Sequence, residues 1–161
     1  MSLFTQKTLI LFLLCLLFAS LITITLAQNT FTSQNTQQPT ITPSDRITQD
    51  QIKVYSNQIV LNVKDASWAT FTPTGSMKPL FDEKSNALEI KPTSPSDIKL
   101  GDIIAYKTDD NTNDIIIHRV INIAQDNQGI YYIVKGDNNQ TADPQKVRFE
   151  QIQGVVVAII Y

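Results

Sequence analysis

Ile115-Ile116-Ile117-His118-Arg119-Val120-Ile121 is the stretch on which the reading of the fold turns. Five of its seven residues are isoleucine or valine, whose branched Cβ is stiff at χ1 and packs well on a pleated surface. No helical period runs through it, so it reads as a strand. Alternation then places Ile116, His118 and Val120 on one face. His118 is the only histidine of the chain. A lone strand histidine is ordinarily half-buried and satisfied by a backbone carbonyl. The sharper reading is a general base, because an imidazole with an ordinary pKa near 6.5 is neutral at neutral pH and able to take a proton. The stretch alone leaves both open.

The same pattern recurs outward from it. Ile59 to Val63, Trp68 to Phe71 and Ala87 to Ile90 read as strands upstream, followed by Leu100 to Tyr106. Downstream, Ile130 to Lys135 and Gly154 to Tyr161 continue the series. The last run is too short to be a membrane span and reads as a buried strand. One short helix is expected around Phe149 to Ile152. Strands spaced by about 8–12 residues, with polar turns between them, predict an all-β barrel or folded antiparallel sheet.

Two loops carry chemistry. In Pro73-Thr74-Gly75-Ser76-Met77-Lys78-Pro79, Gly75 permits a sharp turn and the prolines fix φ near each end. Such a turn can present the Ser76 hydroxyl outward from a rigid support, as a nucleophile requires, although many ordinary turns look alike. Lys78 keeps a serine–lysine pairing as an alternative. In Gly136-Asp137-Asn138-Asn139-Gln140-Thr141-Ala142-Asp143-Pro144, two acids lie six residues apart after a strand. Loop aspartates commonly serve turn chemistry. Either one could instead accept the N–H of an imidazole base, fixing its tautomer and stabilising the imidazolium that forms.

In order along the chain, T-G-S-M-K-P, L-G-D-I-I-A-Y, H-R-V and G-D-N-N-Q-T-A-D resemble the motifs of signal peptidase I. The match is to the archaeal and endoplasmic-reticulum type and covers about residues 59–161. A histidine, His118, stands before the R-V pair where the bacterial branch has a lysine. The resemblance implies a mainly β, antiparallel catalytic domain behind one N-terminal transmembrane helix. It implies that Ser76 attacks the scissile carbonyl and that His118 is the general base. Asp143 is the preferred acid behind His118, with Asp137 as the nearby second acid. The Ser76 N–H and the Thr74 hydroxyl would form the oxyanion hole, and Met77 would line the substrate groove. The implied substrates are signal peptides of secreted preproteins, bound as an added strand and cut after small residues at Ala-x-Ala-like sites. The resemblance calls for no metal and no cofactor.

The rest of the chain fits that location. Residues 8–27 are apolar and uncharged, and as a helix of about 30 Å they would cross a bilayer core. Lys7 on the near side predicts a cytoplasmic N-terminus, residues 1–7, with the remainder outside at the cell membrane. A cleavable signal peptide ending at Ala27 is the alternative to this anchor. Residues 28–50, rich in Gln, Thr, Asn and Ser, read as a flexible linker to a β-rich domain over 51–161. A net charge of −2 and a pI near 5.2 give no reason to expect nucleic acid. Cys15 is the sole cysteine, which excludes an internal disulfide and a cysteine-based metal site. The expected partners are preproteins, the bilayer, and a translocon or accessory subunit. A catalytically silent relative that binds signal regions, and a stalked adhesion domain, are the rival readings.

Overall fold

The computed structural model describes residues 41–109 and 114–161. The expected anchor at residues 8–27 and most of the expected linker lie outside that range. Among the described residues no helix is long and apolar enough to cross a membrane.

The domain is mainly β, and every strand pairing is antiparallel. Strands β1 (Ile52–Val54) and β2 (Ile59–Leu61) form a small two-stranded sheet. The main sheet contains β3 (Ala66–Thr70), β4 (Asn86–Ile90), β5 (Ile103–Lys107) and β6 (Ile115–Asp126). It is completed by β7 (Gly129–Lys135), β8 (Val147–Arg148) and β9 (Ile152–Ile160). Their order is β3-β4-β9-β5-β6-β7-β8, so the C-terminal strand is inserted between β4 and β5. The expected short helix is present as a single 3₁₀ turn, Phe149–Gln151. Strands β1 and β8 are additions to the sequence reading. β1 is three residues long and exposed throughout, so it carries no alternation to detect.

Both faces of the main sheet are covered. Ile104, Tyr106, Val120, Tyr132, Val134 and Val155 are the centre of the core on one side, with Ile116 packed against them. On the other side Met77 and Phe81, from the serine turn and the segment after it, pack on Ala87, Ile103 and Val156. Stacked Phe71 and Phe81 rings, 4.2 Å between centroids, join the two ends of that segment. The turn bearing Ser76 is thus held to the sheet by its own apolar neighbours.

Strand β9 is irregular at two points. Its register slips opposite Leu88 and Glu89, leaving Val157 unmatched, and again opposite Ala105 and Tyr106, leaving Gln153 unmatched. Such bulges bend a strand and re-aim the side chains beside them. Both lie at the cavity described below.

The compact unit takes in residues from Ile41 onward, including the last ten of the stretch read as linker. The reason is polar. Asp102 is 1% exposed, and its carboxylate accepts the N–H groups of Ser44 (3.0 Å) and Lys99 (2.8 Å) and the guanidinium of Arg46. A buried carboxylate needs such partners, and they come from a segment with no apolar period to reveal it.

Candidate active site

Ser76 and His118 line one cavity of about 820 Å³. Its lining comprises the strand-end segment 68–72, the serine turn and the start of β6, together with Glu89, Ala105 and Gln153. Thr74, Gly75 and Met77 also face it.

The serine turn has the geometry its residues suggest. Gly75 takes a φ of 68°, in the left-handed region. The Thr74 hydroxyl lies 3.2 Å from Ser76 Oγ, and the Ser76 N–H reaches Thr74 Oγ1 at 3.4 Å. Met77, expected to line the substrate groove, borders this cavity and is also a buried core residue. Lys78 turns away: it is half-exposed, with Nζ 3.8 Å from Asp82, on the wall of a separate, smaller cavity.

The loop after β7 clasps this turn from behind. The N–H of Asn138 donates to the Ser76 carbonyl at 2.8 Å, and its side-chain amide donates to the Gly75 carbonyl at 3.1 Å. Gly136 makes the approach possible, since a Cβ there would lie 2.7 Å from the Ser76 carbonyl oxygen. The same loop carries both candidate acids, and the structure separates them.

Asp143 belongs to His118. Nδ1 of the imidazole is 2.6 Å from Asp143 Oδ2, and both side chains are about nine-tenths buried. The hydroxyl of Tyr106 donates to the same carboxylate oxygen. Burial and the bond to Asp143 push the Tyr106 pKa well above its usual value, so the hydroxyl stays a donor. An ionised carboxylate is an acceptor only, so Nδ1 carries the proton and Nε2 is the nitrogen left to act as a base. Among the described residues no hydrogen bond joins Ser76 to His118. Catalytic hydrogen bonds commonly tighten only when substrate is bound.

Asp137 belongs to Arg119. The guanidinium donates to both carboxylate oxygens, Nε to Oδ1 at 2.7 Å and Nη2 to Oδ2 at 2.6 Å. It also donates from Nη1 to the Gly101 carbonyl at 2.9 Å. This fork ties β6 to the turn before β5 and to the loop after β7, and among the described residues it makes no hydrogen bond to the imidazole. Sequence reasoning did not single out Tyr106, Arg119 or Asn138. All three stand inside the quoted motifs, so position within a motif was the available signal.

Among the described residues no group of three or more His, Cys, Asp or Glu is gathered as metal ligands would be.

No family model matches the chain. It is similar to signal peptidase I W of Bacillus subtilis (strain 168), with 32% identity over 80 residues. That alignment spans 50% of this chain and 41% of the relative. It is also similar to an uncharacterized protein of Methanocaldococcus jannaschii, 43% identical over 44 residues, 27% of this chain and 22% of that one. The chain thus spans less than half the length of the curated relatives it matches.

Proposed function

We propose that this chain is a serine endopeptidase of the signal peptidase I kind, in its serine–histidine form, which removes signal peptides from secreted preproteins. The observation that carries this reading is that His118, paired with Asp143, lines the same cavity as Ser76. The partial likeness to a signal peptidase I supports the same class of hydrolase.

The chemistry follows from the atoms available. Ser76 Oγ attacks the scissile carbonyl as Nε2 of His118 takes its proton. Asp143, fixed by Tyr106, stabilises the resulting imidazolium. The tetrahedral oxyanion is received by the Ser76 N–H and the Thr74 hydroxyl. The bond now linking these two groups, at 3.4 Å, is long enough for the oxyanion to displace it. A preorganised donor of this kind contributes about 10²–10³ in rate. The C–N bond breaks as the imidazolium protonates the leaving amine. Water, deprotonated by the same nitrogen, then releases the acyl group. Asp137 takes no part in proton transfer: it holds Arg119, and through it the loops around the site.

The preprotein binds as an extended strand, with small residues before the cut as at Ala-x-Ala sites. Residues 115–118 pair with β5 on one side, while β7 begins its pairing with β6 only at Arg119. The outer edge of this segment, beside the cavity, supports addition of a substrate strand. Residues 8–27 anchor the enzyme in the membrane that holds the substrate's signal helix, with the catalytic domain outside the cytoplasm. A translocon or accessory subunit is a further expected partner.

The test uses the full chain in detergent with a secreted preprotein bearing an Ala-x-Ala site, comparing wild type with Ser76→Ala. Mass spectrometry of the new N-terminus is expected to locate one cut after the small residue, absent with Ser76→Ala. Equal cutting by both proteins would remove Ser76 from the chemistry. No cutting by either folded protein would favour the silent relative.

A further inference from the structure

Glu89 lines the cavity and takes no part in the proposed chemistry. It is 8% exposed, and among the described residues its Oε1 has no hydrogen-bond partner. A buried acid in this condition is costly and calls for an explanation. The surrounding backbone is arranged around it. The slip in register between Leu88 and Glu89 sets a bulge of β9 opposite this point of β4. Opposite, a Cβ on Gly154 would lie 2.7 Å from Oε2 and 3.0 Å from the Glu89 Cβ, so the side chain packs closely against a glycine of β9. Burial raises the Glu89 pKa, as expected of a group that lacks a compensating charge.

The cavity's other charges share its sign. Asp82 and Asp114 also line it, and among the described residues no lysine or arginine does. Asp82 already has partners, accepting the Lys84 N–H at 2.9 Å and facing Lys78. Alongside Glu89 the lining includes apolar Ala69, Phe71, Ala105 and Ile117. Such a passage suits a long side chain with an aliphatic stem and a cationic head.

We propose that Glu89 is a specificity residue that selects substrates carrying a lysine or arginine side chain in the extended segment spanning the cut. The stem lies along the apolar walls, and the Glu89 carboxyl, whose Oε1 is sealed from solvent in this structure, turns to meet the cation. This rests on the peptidase reading of the same cavity. It adds a cation requirement at one substrate position to the small residues expected next to the cut.

The experiment compares otherwise identical substrate peptides with lysine or norleucine placed in turn at each position around the cut. Norleucine keeps the stem and omits the ammonium. In wild type, one position is expected to favour lysine by about tenfold in kcat/KM, a difference of about 1.4 kcal/mol. In Glu89→Gln that ratio should fall to within about twofold of unity. No preference at any position in wild type, or a ratio unchanged by Glu89→Gln, would overturn the proposal. The wild-type scan needs no variant, so a Glu89→Gln protein that fails to fold does not shelter the idea. Binding is read separately in Ser76→Ala from the emission of Trp68, the chain's only tryptophan, which lines the cavity. Tighter binding of the lysine peptide without cleavage by wild type would sink the peptidase reading and keep Glu89's role. Cleavage with equal binding and equal rates for the two peptides would do the reverse.

Discussion

Asp143→Asn and Asp137→Asn are each a single-atom change in the same loop, yet they should fail in different ways. Asp143 Oδ2 accepts from both His118 Nδ1 and Tyr106. An asparagine that turns its oxygen to that spot keeps both bonds and loses only charge. Bonds to charged groups contribute about 1.5–3 kcal/mol against about 0.5–1.5 for neutral ones, so this loss alone costs roughly tenfold in rate. An asparagine that turns its NH₂ group there forces the proton onto Nε2 and removes the base, at a cost of about 10⁴. The buried Tyr106 hydroxyl needs an acceptor and therefore biases the amide toward the first state. Asp143→Asn should fall between these limits, and adding Tyr106→Phe should push the loss toward the larger one. Asp137→Asn instead weakens the Arg119 fork, which among the described residues makes no hydrogen bond to the imidazole. Its main effect should be a lower unfolding midpoint, by about 1–3 kcal/mol of stability. The assay is single-turnover cleavage of a preprotein, run alongside thermal unfolding of each variant. A folded Asp137→Asn with a greater rate loss than Asp143→Asn would refute the pairing argument. So would a Tyr106→Phe addition that restores activity.

Two further outcomes follow from the same structure. Gly136→Ala places a methyl against the Ser76 carbonyl oxygen and must shift the backbone of the proposed nucleophile or of the clasping loop. Destabilisation of about 1–3 kcal/mol by denaturant titration is expected, with a fall in kcat of up to about 10² from misplacement of the hydroxyl; unchanged stability and rate would show that the clasp is loose. Glu89 has a raised pKa in the folded state, so the unfolded chain gives up this proton first. Its contribution to stability is therefore favourable at low pH and is lost as pH rises above the ordinary glutamate value of about 4.3. Glu89→Gln should gain stability over wild type at pH 7–8 and little near pH 4, and thermal unfolding across that range with the reverse trend would contradict the burial argument.

The β class, the strand bearing His118 and the two candidate loops were legible in the chain itself. Runs such as 115–121 and 154–160 are dense in β-branched residues, and their alternation or continuity reflects local steric preference. The serine turn is likewise local, because Gly75 and its flanking prolines set the backbone whatever lies around them. What one sequence leaves unordered is contact at a distance. Asp137 and Asp143 are equivalent as loop carboxylates, and only the packing of the 136–143 loop against β5 and β6 gives one to Arg119 and the other to His118 and Tyr106. Residues 41–50 look like linker because their attachment, through Ser44 and Arg46 to a buried carboxylate far along the chain, leaves no periodic trace. Glu89 was invisible for a related reason. A glutamate in a short strand reads as a solvent-facing position until tertiary structure folds two bulges of β9 and the side-chain space of Gly154 around it. Local sterics are written residue by residue, whereas burial and pairing depend on which distant strands become neighbours.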